Sequence, residues 1–237
     1  IVGDFDMETA QPVIAEILKD WTSEISYERI PSLANNNTEG SLQHVNTPDK
    51  AQATYFSAMT LPIRDDHEDF PALTLGNYIL GGGALASRLG NRVRQQEGFS
   101  YGVQSALQGS PVDERATFYI YAICAPDKAD RVHEVIQEEL AKLLKDGITE
   151  EELTQQKNGI LEQRSLGRTS DGALAGALAT LTFAGRTMED IEKFEDKLRS
   201  LTVEDVNAAL RKHINPQRLY TVLAGDFEKV AAESASK

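Results

Sequence analysis

The chain has 237 residues, 41% of them hydrophobic, enough for one large domain with a substantial core or for a domain and part of another. Its 37 acidic and 24 basic residues give a net charge of −13, which disfavours nucleic acid and other polyanionic partners. Its apolar runs are far shorter than the ~20 residues that span a bilayer, so we expect no membrane insertion. The chain opens on Ile1-Val2 without a methionine or a secretory signal, and we interpret it as a fragment or a processed product.

The first forty residues are predicted to lead into a larger unit. Residues 1–6 predict a strand, and Asp6 is placed to cap a helix over 8–21. An Asn-rich stretch without a hydrophobic period follows and predicts a linker. The predicted divisions are 1–30, a strand–helix tail of a preceding domain or a lead-in segment; 31–40, the linker; and 41–237, the main domain.

The main domain shows the element order of an α+β fold. The order strand, strand, helices, two strands, helices, strand predicts a mostly antiparallel sheet with helices packed on one face. Cys124 shares a strand face with Phe118 and Ile120, so we predict that it is a core residue. The predicted strands are 41–46, 51–61, 99–108, 114–125 and 218–226, and the predicted helices are 67–80, 84–97, 127–146, 149–166, 171–184, 188–199 and 203–213.

Residues 79–103 carry the most specific pattern of the chain. Gly81-Gly82-Gly83 permits backbone angles closed to other residues and predicts a hinge between two helical segments. Leu85, Leu89 and Val93 follow at four-residue spacing and predict the buried stripe of a basic helix.

A turn and a strand follow this helix. Gly98 is placed to end the helix, and Phe99, Tyr101 and Val103 alternate as one face of a strand. Arg94 lies in the last turn of the predicted helix. The pattern therefore places Arg94 and Tyr101 on the two sides of one turn.

This ordered series resembles the zinc-free domain of the inverted-zincin peptidases, the superfamily of pitrilysin, insulysin and the mitochondrial processing peptidase. There the pattern runs Leu-Gly-Gly-Gly, small residues, Ser-Arg-Leu, a basic helix and Glu-x-Gly-x-x-Tyr, and the spacing of Arg94 and Tyr101 matches it. The resemblance extends over nearly the whole chain. It implies the family's α+β fold and a zinc-free domain of a zinc-dependent metalloendopeptidase, which forms part of the chamber for a peptide or unfolded polypeptide substrate.

The resemblance also implies site residues. Tyr101 would donate a hydrogen bond to the oxyanion of the tetrahedral intermediate, and Arg94 would hold the substrate main chain or carboxylate, both acting as auxiliary catalytic residues in trans to the zinc site. The alternative is that Arg94 pairs with Glu97 or with another acidic residue of the helix, and that Tyr101 packs in the sheet. The implied substrate-binding residues are Gly81, Gly82, Gly83, Arg88 and Arg92.

The chain lacks the zinc ligands of the superfamily. Its sequence has no His-x-x-Glu-His, and no histidine has another three or four residues away, so we predict no metal site and no cofactor in this chain. Zinc is instead expected in a partner, a zinc-bearing domain or subunit of the same family, and this chain alone is expected to be inactive. The four histidines are His44, His67, His133 and His213.

A rival interpretation is a non-catalytic assembly or peptide-binding subunit with the same fold, as in the core subunits of a respiratory complex. A His-x-x-Glu-His upstream of Ile1 in the same reading frame would favour the peptidase. Its absence from this chain and from any partner would favour the scaffold. As the cellular location of the protein, a bacterial periplasm or cytoplasm is favoured over an organelle.

Overall fold

A computed structural model describes residues 1–35 and 38–235, apart from the side chains of Tyr101, Ser234 and Ala235; the linker residues 36 and 37 lie outside this part. Within it, five strands form one sheet and eight α-helices lie before, between and after them. The strands are β1 (Ser41–Asn46), β2 (Ala53–Leu61), β3 (Ser100–Gly109), β4 (Ala116–Cys124) and β5 (Tyr220–Gly225). The helices are α1 (Met7–Leu18), α2 (Phe70–Asn77), α3 (Ala129–Asp146), α4 (Glu150–Leu166), α5 (Asp171–Phe183), α6 (Met188–Ser200), α7 (Val203–His213) and α8 (Phe227–Ala235).

The sheet has the strand order β1-β5-β2-β4-β3. β2 pairs antiparallel with β4 and with β5, and β3 pairs antiparallel with β4. The register of β2 and β4 runs from Ala53 opposite Cys124 to Leu61 opposite Ala116. Only β1 and β5 form a parallel pair within the described residues. The predicted α+β fold with a mostly antiparallel sheet is therefore confirmed.

Helices cover one face of this sheet. Tyr55 of β2 and Ile120 of β4 are fully buried, and they share a core with Ile136 and Leu140 of α3. Every second residue of β2 and β4 is buried in this way, because successive side chains of a strand point to opposite faces. Cys124 belongs to the buried set, as predicted, and burial raises the pKa of its thiol to about 11.

The predicted strand over residues 1–6 is absent. Gly3 has a φ of 138°, and no strand of the described chain pairs with this segment. Its backbone therefore makes none of the hydrogen bonds between strands that a sheet requires. The helix after it is present: the carboxylate of Asp6 accepts a hydrogen bond from the Glu8 amide at 3.1 Å and caps α1. No residue of α1 is buried, and Ile17 is 73% exposed.

The chain between α1 and β1 lies along the sheet without regular structure in the described residues 31–35 and 38–40. The Ser32 amide donates to Asp113 at 3.2 Å, and the Asn35 amide donates to the Thr60 hydroxyl at 3.0 Å. These bonds attach the segment to the ends of the strands.

The predicted helix over 84–97 is broken near its start. Ala84 has a φ of 52° and Ser87 is extended, so a short 3₁₀ turn at Ala84–Ala86 ends before the next helical segment begins. The Ser87 hydroxyl accepts a hydrogen bond from the Gly90 amide at 3.1 Å and caps this segment.

The helical segments on both sides of this break are wider than α-helices. Tyr78–Gly82, after α2, and Gly90–Gln96 are π-helical, with bonds between residues five apart. The interrupted geometry changes the predicted stripe: Leu85 is 49% exposed, whereas Leu89 and Val93 are fully buried.

The second half of the chain follows its predicted helices within one or two residues. Three of these helices begin at capping boxes, at Thr149, Thr187 and Thr202. The sequence patterns did not predict α8, which begins two residues after β5 ends. None of the helices in the described residues combines the length and the apolar character needed to cross a bilayer.

Candidate functional site

The glycine turn lies in close contact with β3. A Cβ built on Gly81 would lie 2.5 Å from the amide nitrogen of Ser105 and 2.6 Å from its hydroxyl. A Cβ on Gly83 would lie 2.9 Å from the Gln156 side-chain oxygen of α4 and 3.0 Å from the Tyr78 carbonyl. The Gly81 distances are shorter than real Cβ contacts and one of them is to backbone, so the packing requires glycine at this position; the contacts at Gly83 are tight, but the nearest atom is the end of a flexible side chain.

Arg88 ties the segment after the glycine turn to the start of α4. Its Nε and Nη2 donate to the two carboxylate oxygens of Glu152 at 2.6 and 2.7 Å, and Nη2 also donates to the Gly147 carbonyl at 2.8 Å. Burial raises the pKa of Glu152, but the hydrogen bonds from Arg88 and from the Thr149 amide outweigh it and hold that pKa below its ordinary value.

Arg92 is also held by carboxylates. Its Nη1 donates to Glu97, and the carboxylates of Glu138 and Glu139 of α3 lie 3.6 and 3.8 Å from the guanidinium nitrogens. The structure therefore pairs Glu97 with Arg92, whereas the alternative interpretation of the sequence paired it with Arg94.

Arg94 differs from these two arginines. Its side chain is exposed, and within the described residues its guanidinium group has no hydrogen-bond or ion-pair partner. Tyr101 stands where the register of β3 against β4 shifts, between Ser100 and Gly102, and its side chain lies outside the described part of the structure. Arg94 and Tyr101 occupy the two sides of the predicted turn.

The second face of the sheet carries aromatic side chains that the described helices leave partly exposed. Phe56 of β2 is 42% exposed and stacks on Tyr119 of β4, with ring centroids 5.6 Å apart. Tyr121 lies on the same face, because it stands two residues along β4 from Tyr119. Gln104 of β3 also lies there, because it is the cross-strand partner of Tyr121. We call these four residues the open sheet face.

The fold brings two of the four histidines together. Nε2 of His213, at the end of α7, lies 2.8 Å from Oδ2 of Asp69, and Nδ1 of His67 lies 3.9 Å from the same oxygen. The two imidazole rings are 5.5 Å apart and nearly perpendicular. Sequence spacing missed this cluster because only the packing of α7 against α2 brings His213 to Asp69. His44 bonds to Asp130 elsewhere, at 2.7 Å.

Comparison with known proteins identifies the family. The sequence model of the peptidase M16 inactive domain matches residues 1–160. This chain belongs to the peptidase M16 inactive domain family. No catalytic zinc is expected in such a domain, in agreement with the missing His-x-x-Glu-His.

The relatives of this M16 domain are larger proteins. An uncharacterized zinc protease of Mycobacterium leprae is 32% identical over 144 residues, which cover 61% of this chain and 32% of the relative. A crystal structure of a peptidase M16 inactive domain from Pseudomonas fluorescens matches with a TM-score of 0.77 and 28% identity, over 94% of this chain and 52% of that one. A protease from Helicobacter pylori shares the fold, with a TM-score of 0.77 at 18% identity. The chain spans about a third of the length of the first curated relatives.

Replacing Gly81 with alanine should lower the free energy of unfolding by about 1–3 kcal/mol, because the added methyl group overlaps Ser105. Gly172 in α5 is the matched control. A Cβ there meets nothing within 4 Å, so Gly172→Ala should be neutral or stabilising by up to ~1 kcal/mol. Urea denaturation of the two variants measures both values. Equal stability of Gly81→Ala and wild type would contradict the close contact.

Arg88→Met should destabilise the protein by about 1–3 kcal/mol at neutral pH. Because the folded-state pKa of Glu152 is lowered, the stabilisation is fully present above the ordinary glutamate value of 4.5 and is lost as the pH falls through the folded-state pKa. The difference in unfolding free energy between wild type and variant should therefore shrink on acidification, measured by denaturation across pH. Arg131→Met, which removes an exposed pair with Glu134, is the control and should have little effect. A difference independent of pH would refute this role of the pair.

Proposed function

We propose that this chain is the zinc-free part of a zinc-dependent metalloendopeptidase, forms part of its substrate chamber, and supplies Arg94 and Tyr101 to a zinc site in another domain or subunit. The observation that carries the proposal is the contrast among the arginines of the motif. Arg88 and Arg92 bind carboxylates of their own domain, whereas Arg94 is exposed and unpaired within the described residues. The zinc protease names of the relatives support the reaction class.

The open sheet face supports the proposed place of the chain in a chamber. Stacked aromatic side chains such as Phe56 and Tyr119 offer apolar surface, and Gln104 offers an amide donor and acceptor on the same face. Such a mixed surface suits an extended or unfolded polypeptide, whose side chains are varied and whose backbone needs hydrogen bonds. Inactive domains of this family pair with zinc-bearing domains, and such a partner would close the chamber over this face.

The proposed chemistry follows from the two side chains. The Arg94 guanidinium is permanently charged and offers a fork of donors, so it suits a carboxylate or a main-chain carbonyl of the substrate. The Tyr101 phenol is a neutral donor that can stabilise the developing oxyanion when water is excluded. Neither group supplies the attacking water, and the chain alone is therefore proposed to be inactive.

Substrate contact by the glycine turn and by the two paired arginines stays a prediction. A substrate acid would have to displace Glu152 to reach Arg88, and Glu97 to reach Arg92, whereas Arg94 requires no displacement. The proposed contacts are Gly81, Gly82, Gly83, Arg88 and Arg92.

Tyr101→Phe, made in the enzyme that contains the zinc-bearing partner, should lower kcat by ~10²–10³ because it removes only the hydroxyl donor. Steady-state peptide hydrolysis measures the effect, and thermal unfolding should show little change. Tyr27→Phe, in the segment before β1, is the control: Tyr27 is 81% exposed and lies outside the proposed site, so this variant should retain activity. If Tyr101→Phe is fully active while Tyr101→Ala mainly lowers stability, Tyr101 is structural.

Arg94→Lys should lower kcat/KM by about tenfold or more, because lysine keeps the charge but loses the bidentate fork. Arg131→Lys, on α3, provides the control for a general effect of replacing an exposed arginine, and kcat/KM for a peptide with an acidic group is the measurement. Unchanged kcat/KM in Arg94→Lys would argue against substrate positioning. If no zinc-bearing partner exists and the assembled protein does not cleave peptides, the scaffold interpretation holds instead.

A further inference from the structure

The cluster of His67, Asp69 and His213 is not used by the proposed function. Each residue offers one ligand atom, and these atoms lie within 4.8 Å of one another. His67 and Asp69 belong to the loop that leads into α2, and His213 is the last residue of α7. From this convergence we propose that the three side chains form a binding site for a divalent transition metal ion of the zinc type, which would link the start of α2 to the end of α7. This proposal departs from the prediction of no metal site, which rested on the spacing of histidines along the sequence.

The existing distances are close to those that such an ion requires. Bonds of about 2.0–2.1 Å to nitrogen and oxygen in a tetrahedral site place neighbouring ligand atoms about 3.3 Å apart. The His213 Nε2 to Asp69 Oδ2 distance is 2.8 Å and would have to lengthen slightly, and Nε2 would release to solvent the proton that it shares with the carboxylate. The His67 Nδ1 to Asp69 Oδ2 distance is 3.9 Å and would have to shorten by a similar amount. Both changes are within the reach of side-chain rotation.

The donor atoms also suit the ion. Two imidazoles and one carboxylate favour zinc and its neighbours over magnesium or calcium, which prefer oxygen ligands alone. Nδ1 of His67 accepts a hydrogen bond from the Asp69 amide at 3.1 Å, so this nitrogen carries a lone pair rather than a proton, and it would give up this bond when the lone pair binds the ion. The His213 side chain is only 10% exposed and is therefore held in place before any ion binds.

Lys212 competes for the same carboxylate. Its ammonium group donates to Asp69 Oδ2 at 2.7 Å, the oxygen that also bonds to His213. The Lys212 side chain is 57% exposed, so it can turn into water when an ion arrives.

The test uses Zn²⁺ and Co²⁺ with the 237-residue protein after removal of adventitious metal by a chelator. Titration calorimetry should show saturable binding of one Zn²⁺ per chain, and Co²⁺ should give the visible absorption of a site with nitrogen ligands. Zn²⁺ should also raise the Tm, and chelator should reverse the rise.

Variants separate the proposed site from weak surface binding. His67→Gln and His213→Gln should each weaken Zn²⁺ binding by about tenfold or more and abolish the Co²⁺ absorption, because each removes a ligand. His44→Gln is the matched control: His44 also bonds to an aspartate, at 2.7 Å, but it belongs to no group of three potential metal ligands among the described residues, so binding should not change. Lys212→Met should tighten binding, because it removes the competing cation.

The proposal is overturned if wild type shows no saturable Zn²⁺ binding, or if His67→Gln and His213→Gln bind Zn²⁺ as well as wild type does. Circular dichroism of each variant before titration verifies that a loss of binding does not come from unfolding. His67 is 31% exposed, so His67→Gln should fold even if His213→Gln does not. The outcome does not depend on peptidase activity, so this proposal and the proposed function can fail separately.

Discussion

The contact between the glycine turn and β3 is the constraint on which the candidate site depends. Because no Cβ fits between Gly81 and Ser105, the chain after α2 can approach this strand so closely only if residue 81 is glycine. The same segment then carries the three arginines and returns through Gly98, at a φ of 66°, into β3 itself. Both of its ends are therefore fixed by one strand, and the direction of each arginine follows from the interrupted helical path between them.

Charge distinguishes these arginines from one another. In a chain with a net charge of −13, a basic side chain meets many carboxylates, and Arg88 and Arg92 bind those that α4, α3 and the turn provide. Once paired, a guanidinium group attracts an incoming acid less, because its charge is compensated and its donors are in use. Arg94 keeps its full charge at the surface. This electrostatic difference favours Arg94 over its neighbours as the residue that meets a substrate.

Local rules predicted most of the fold but only part of the site. Alternation along β2 and β4, and the cap at Asp6, depend on neighbouring residues and were readable from the sequence. The left-handed backbone at Ala84 and the π-helical turns were not, because both are rare conformations that local sequence preferences do not favour. His67 and His213 meet only through the packing of α2 and α7, which no spacing rule contains. The pair Arg94 and Tyr101 came from family resemblance, and their roles depend on surfaces outside this chain.

The strand order has a consequence for how the protein folds. β2, β3 and β4 are close in sequence, so they can pair as soon as residue 124 has been synthesised. β5 is the last of the five strands to be made, and it lies between β1 and β2 in the finished sheet. Until residues 220–225 are available, β1 has no partner and β2 keeps an open edge. An incomplete chain therefore exposes strand edges that other chains can bind, and the insertion of β5 covers the edge of β2 and gives β1 its partner.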